Sequence, residues 1–118
     1  MNDAPYAFPG LERIFHERGR LAVCACLVAN PDGMRFTELQ EACGLTDGNL
    51  NRHLHALAEV DVVRSERVRG HGRPTTIVHI TDQGRRRFLA YIDELEGVVR
   101  GVQRRTDAAA ASRLAAQP

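Results

Sequence analysis

Apolar residues recur at helical spacing from Leu11 to Val28, at Leu11, Ile14, Phe15, Leu21, Cys24, Ala25 and Val28, which predicts a helix with Gly19 as its candidate bend. Asn30-Pro31-Asp32-Gly33 ends it. Thr37 and Gln40 have capping-box spacing, so a second helix is expected to begin at Thr37, with Leu39, Ala42 and Cys43 on its apolar face and Gly44 as its stop. Thr46 then caps a third helix whose buried stripe is Leu50, Leu54 and Leu57. Beyond Asp61 the period changes. Val62 to Val68 is strand-like, and Thr75 to Ile80 is rich in β-branched residues. Arg69-Gly70-His71-Gly72-Arg73-Pro74 lies between them, so the two strands form a hairpin with a basic tip. Thr81 caps a long final helix carrying Phe88, Ile92, Leu95, Val99 and Val102 at alternating spacings of four and three, a heptad-like stripe. The Ala-rich stretch 107–118 has few large apolar groups and is expected to be a frayed helix end or a tail, leaving 1–106 as one domain.

The order of these elements is helix, helix, tight turn, helix, basic hairpin, long helix. It predicts a mostly α fold with a small β-hairpin wing, a winged helix-turn-helix with a long C-terminal dimerisation helix. With Leu50, Leu54 and Leu57 inward, the 100° step of the third helix turns Gly48, Arg52, His55 and Glu59 outward and sets Asn49 and Asn51 on the flanks. Asn pairs bidentately with adenine and Arg with guanine, and Gly48 lets the helix start approach a phosphate closely. Asp47 would be repelled by a phosphate; it complements the helix dipole or accepts from a cytosine amino group. Taken alone, such a face also describes an ordinary solvated amphipathic helix. The order of elements and the wing are what point to nucleic acid.

Those residues also carry a family resemblance. Leu45-Thr46-Asp47-Gly48-Asn49-Leu50-Asn51-Arg52-His53-Leu54, the wing Gly72-Arg73-Pro74 and the closing Ile80-Thr81-Asp82-Gln83-Gly84-Arg85 resemble small bacterial winged-helix transcriptional regulators of the MarR/ArsR type. The similarity runs from about Leu11 to about Leu95. It is strongest to the compact stand-alone group that opens with a segment like Phe15-His16-Glu17-Arg18-Gly19-Arg20-Leu21. The resemblance implies a homodimeric regulator of transcription on double-stranded DNA. The residues expected at DNA are Thr46, Asp47, Gly48, Asn49, Asn51, Arg52 and His55 on the third helix and Arg69, His71 and Arg73 on the wing. Phe88, Ile92, Leu95, Val99 and Val102 are expected at the dimer interface.

Charge sharpens this picture once it is divided along the chain. The total is +1, but residues 1–63 hold five basic and nine acidic side chains, residues 64–87 seven and two, and residues 88–118 four and four. The positive field is therefore concentrated at the hairpin and the start of the last helix. A 118-residue chain that is 43% hydrophobic and 26% charged fits one folded domain. The longest apolar run, Leu21 to Ala29, is far short of the roughly 20 residues that span a bilayer, and a cytoplasmic location is expected.

The remaining chemistry is weaker. His16-Glu17 opens like a zinc-protease motif, but Arg20 stands where the second histidine belongs, and His16 is expected to be a partly buried helix residue. Cys24 and Cys26 lie about 200° apart on a helix, which is poor geometry for one metal ion, so the three cysteines are read as core thiols. His53, His55, His71 and His79 share no ligand spacing with a cysteine and are expected at the surface or groove. No nucleophile–base pair or phosphate loop is present in the pattern, so no enzyme and no cofactor are expected. Two alternatives remain open at this stage: a winged-helix dimer serving only protein association, and a thiol- or metal-responsive regulator.

Overall fold

The computed structural model describes residue 4, residues 6–70 and residues 72–116. A short 3₁₀ turn (Arg13–Phe15) leads into α1 (Arg18–Ala29), β1 (Met34–Arg35), α2 (Phe36–Cys43), α3 (Asp47–Glu59), β2 (Val63–Val68), β3 (Thr75–Ile80) and α4 (Asp82–Ala116). The three strands form one antiparallel sheet in the order β1-β3-β2, with Met34 opposite Val78 and Val63 opposite Ile80. This is the winged helix-turn-helix arrangement, with a 35-residue C-terminal helix. No helix among the described residues is long and apolar enough to cross a membrane.

Several boundaries differ from the pattern-based expectation, each for a local reason. The first helical stretch is interrupted at His16–Glu17 and not at Gly19, because the Glu17 backbone is extended and its carboxylate accepts from the Arg20 N–H at 3.1 Å, capping α1. His16 accordingly closes the 3₁₀ turn, exposed, with Nδ1 3.1 Å from the Tyr91 hydroxyl. Thr37 does not cap α2: Arg35 is held extended by pairing with Ile77 in β1, and the helix starts directly at Phe36. α4 continues through the Ala-rich stretch to Ala116, a consequence of the high helix propensity of Ala.

Both helices of the helix-turn-helix end in Schellman motifs. At α2, Gly44 adopts φ 63°, its N–H donates to Glu41 and the Leu45 N–H donates to Gln40. At α3 the left-handed position is filled by Asp61 (φ 62°), with Val62 N–H donating to Leu57 O at 2.9 Å. Aspartate tolerates this backbone better than most side chains.

The core is one cluster: Val23, Cys24 and Leu27 of α1, Leu39 of α2, Leu50, Leu54 and Leu57 of α3, Val62, Val63 and Val78 of the sheet, and an aromatic group of Phe15, Phe88 and Tyr91. Phe15 meets Phe88 edge-on at 5.3 Å between centroids and Tyr91 at 5.4 Å. Phe88 is therefore buried within its own chain, and the outward stripe of α4 starts further along the helix.

Gly84 and Gly97 both lie inside α4, and their surroundings are opposite. A Cβ on Gly84 would drive into the Val62 backbone, whereas one on Gly97 would meet nothing within 4 Å. Gly84→Ala should thus destabilise the fold by about 1–3 kcal/mol despite its better helix propensity. Gly97→Ala should stabilise by up to about 1 kcal/mol. Urea unfolding of both variants checks the contrast; equal effects would mean that the α4–Val62 contact is not close-packed.

Candidate nucleic-acid interface

α3 presents its N-terminal half to solvent. Thr46 is the cap, its hydroxyl accepting from Asn49 N–H at 3.2 Å, and Asp47 lies in the first turn, where a carboxylate complements the helix dipole. Thr46, Asp47, Gly48, Asn49, Asn51 and Arg52 are all exposed. Gly48 has no neighbour within 4 Å of an added Cβ and no left-handed backbone, so nothing inside the chain requires glycine there. Arg52 reaches back to Asn49 Oδ1 at 3.4 Å, a long contact that holds the guanidinium loosely over the first turn. His55 is exposed, but its Nε2 lies 3.0 Å from Glu59 Oε1, which turns it along the helix toward the C-terminal end.

The wing continues this surface. One groove runs between α3 and the sheet, lined by Asn51, His55, Ser65, Thr76 and Phe36; a second, lined by Arg35, Phe36, Thr37, Pro74 and Thr76, joins the start of α2 to the wing. They share Phe36 and Thr76, so the start of α2, the outer side of α3 and the hairpin form one continuous surface. Arg69 and Arg73 are exposed at the hairpin end, while His71 lies outside the described residues. Arg67 donates to Thr76 Oγ1 at 3.4 Å, bracing β2 against β3.

Pattern reading missed two participants. Arg35 lines the same recess as Arg73 at the base of the wing, contributed by a two-residue strand that has no periodicity to detect. His53, expected at the surface, is only 2% exposed. It points from α3 to the start of α1, where Nε2 lies 3.2 Å from Glu17 Oε2 and the absent side chain of Gly19 leaves room for the ring. Its Nδ1 is buried with no hydrogen-bond partner. His79 is likewise inside the wing, with Nε2 2.9 Å from Glu66 Oε1 across the strands and the ring against Gly33.

Burial pushes the His53 pKa below its ordinary 6.5, helped by the positive charges of Arg52 and Arg20 and opposed by the Glu17 carboxylate. For Glu17, burial acts to raise the pKa. The Gly19 and Arg20 backbone N–H groups, with the charges of His53 and Arg20, outweigh it and hold the carboxyl below 4.5. His53 is therefore neutral at neutral pH, with an Nε2–H able to donate to Glu17 and so fasten α3 to α1.

Residues 20–99 match the family model of the winged helix DNA-binding domain. An uncharacterized protein of Methanocaldococcus jannaschii is 37% identical over 83 residues, covering 70% of this chain and 89% of that protein. A transcriptional regulator homologue from Pyrococcus horikoshii superposes with a TM-score of 0.71 at 29% identity, over 75% of this chain and 87% of that one. The S. aureus MepR protein, solved as a DNA complex, shares the fold at a TM-score of 0.66 and 14% identity, over 88% of this chain and 84% of that one.

The depressed His53 pKa sets a pH dependence. The unfolded chain, with the higher pKa, takes up the proton first, so stability is full above pH 6.5 and falls as the pH drops below it; the Glu17 contribution is lost in the same sense below 4.5. Denaturant unfolding across pH 4–8 should show the decline beginning near 6.5. Glu17→Gln, which removes the one group raising the His53 pKa, should steepen that loss. Stability that is flat from pH 7 to 5 would contradict the burial of a neutral imidazole.

The matched family model spans most of the domain just described, and the family and fold are those of transcriptional regulators and not of enzymes. The chain belongs to the winged helix DNA-binding domain family, and it shares its fold with the solved transcriptional regulator homologue from Pyrococcus horikoshii.

Proposed function

We propose that the chain is a cytoplasmic, sequence-specific repressor that binds double-stranded DNA as a homodimer on an inverted-repeat operator. The observation that carries the DNA reading is the bare N-terminal half of α3. Its exposed side chains Thr46, Asn49, Asn51 and Arg52 are hydrogen-bonding types, and Gly48 opens the backbone where nothing in the fold asks for it. Asp47 accompanies them at the helix start, and His55 extends the face toward the wing. In this reading α3 lies in the major groove, and Arg69, His71, Arg73 and the newly located Arg35 hold the flanking backbone or minor groove. MepR, a structural neighbour, was itself solved in complex with DNA.

The dimer reading rests on shape. The chain measures 76 × 34 × 23 Å with a radius of gyration of 19.5 Å. A compact chain of this length would have roughly 13 Å. The excess is α4, which runs out beyond the core with Leu89, Leu95, Val99 and Val102 exposed and Ile92 half covered by its own domain. A second copy packed along Leu95, Val99 and Val102 buries that stripe. Two recognition helices related by a two-fold axis then meet equivalent major grooves about one helical turn apart, roughly 10 bp or a multiple.

Replacing Leu95 and Val99 together by Glu should give monomers in sedimentation while the far-ultraviolet helix signal largely survives. A dimer that persists in this variant would exclude the Leu95–Val102 face as its interface.

Readout and anchoring should separate in binding assays. Arg52→Ala should cost about 1–3 kcal/mol on a site selected from a random duplex library and much less on random DNA, as expected for a base-edge contact. Arg73→Ala should weaken binding to both and lower the slope of log affinity against log salt by about one, as expected for a lost phosphate contact. Indistinguishable losses with unchanged slopes would reduce the surface to a generic basic one.

A further inference from the structure

The cysteines, expected to be inert core thiols, are not equivalent. Cys24 is fully buried in the core. Cys26 of α1 and Cys43 of α2 are only partly buried, and their Sγ atoms lie 3.8 Å apart, in van der Waals contact across the two helices. Cys43 also lines a cavity of about 370 Å³ shared with Arg18, Asn49, Arg52 and His53, so its side of the pair is reached from solvent along the candidate DNA face. Closing the gap to the roughly 2.0 Å of a disulfide needs a movement of less than 2 Å.

We propose that Cys26 and Cys43 form an oxidant-dependent intrachain disulfide that joins α1 to α2 and weakens DNA binding. The oxidant class is a hydroperoxide. Attack by one thiolate on the peroxide oxygen forms an S–O bond, breaks the O–O bond, moves two electrons from sulfur to oxygen and releases water. The second thiolate then attacks the sulfenic sulfur. The S–S bond forms, the S–O bond breaks, and the departing hydroxide takes the proton shed by the second thiol, so two thiols and one hydrogen peroxide give one disulfide and two waters.

Position gives the bond its consequence. Cys43 is the last residue of α2, followed by left-handed Gly44 and the Thr46 cap of α3. Drawing its sulfur toward α1 displaces the turn from which the recognition helix starts, and a reading surface tolerates only about half an ångström of such displacement. Burial, and the neighbouring Cys26, push the Cys43 thiol up to about 12, so little thiolate exists at neutral pH. Attack by the Cys43 thiolate is consequently slow at neutral pH and faster as the pH rises.

The test treats the purified full-length protein with hydrogen peroxide and maps disulfides by mass spectrometry of non-reduced peptides. A Cys26–Cys43 bond should form in the wild type and in Cys24→Ser, and be absent in Cys43→Ser. Because the bridge closes a loop between residues 17 apart, Tm should rise by on the order of 10 °C and return on reduction. Affinity for a duplex selected from a random library should fall about tenfold in the oxidised wild type and remain unchanged in peroxide-treated Cys43→Ser. Failure of the bond to form, or bridges only between chains, would overturn the site. A bond that leaves affinity unaltered would overturn the switch. The effect on DNA rests on the duplex-binding reading, but the disulfide does not: absence of binding in both redox states would reject that reading and leave the peptide map to decide the bridge.

Discussion

The carbonyl of Val62 is the point through which the elements of the domain are joined. It accepts from the Thr81 N–H at 2.9 Å and from the Thr81 hydroxyl at 3.1 Å, and the Val62 N–H closes the end of α3 on Leu57. Gly84 packs directly on this backbone, and Thr81 caps α4 through the Gly84 N–H at 2.8 Å. The end of the recognition helix, both long strands and the start of α4 therefore converge on a single residue. Arg87 reinforces the junction, donating to the Val60 carbonyl at 2.7 Å while its guanidinium grips the Glu12 carboxylate at 2.8 Å. The orientation of α3 relative to α4 is thus fixed by a few hydrogen bonds within one turn of chain.

How much of this was legible depends on whether the cause lies near in sequence. The α3 cap, its leucine stripe and the Gly44 stop of α2 are set by residues a few positions apart, and pattern reading finds them; the end of α3 at left-handed Asp61 carries no glycine and is not found. β1 escapes because two residues carry no period; it exists only because β3 has a free edge beside it. His53 was misplaced for the same kind of reason. Its burial is created by Gly19 and Glu17, more than thirty positions away, and Gly19, which suggests a bend in isolation, serves as the space for an imidazole ring. Phe88 was legible as apolar but not as inward, since only its contact with Phe15 separates it from Leu95 and Val99, which share its stripe. The residues assigned to DNA were readable as exposed. Their continuity with Arg35 required the fold.

The electrostatics of the candidate interface are restrained. α3 itself carries only Arg52 as a fixed positive charge, beside Asp47 and Glu59, and the wing mixes its arginines with the Glu66–His79 pair. The candidate interface thus divides its chemistry: hydrogen-bonding side chains on α3, and a positive charge that is concentrated on the wing and the start of α4. The joint held by His53 and Glu17 belongs to the same economy of means: one buried contact ties α3 to the start of α1.

The bareness of that outer face has an evolutionary meaning. Thr46 aside, whose hydroxyl caps the helix, Asp47, Gly48, Asn49, Asn51 and Arg52 are exposed, and the core packing of this stretch is carried by Leu50. A side chain there can be exchanged without disturbing the packing beneath it, so duplicated copies of such a domain can drift to new operators while folding as before. Leu50, Leu54 and Leu57 keep the scaffold constant, and the residues between them supply a vocabulary that can be rewritten one letter at a time.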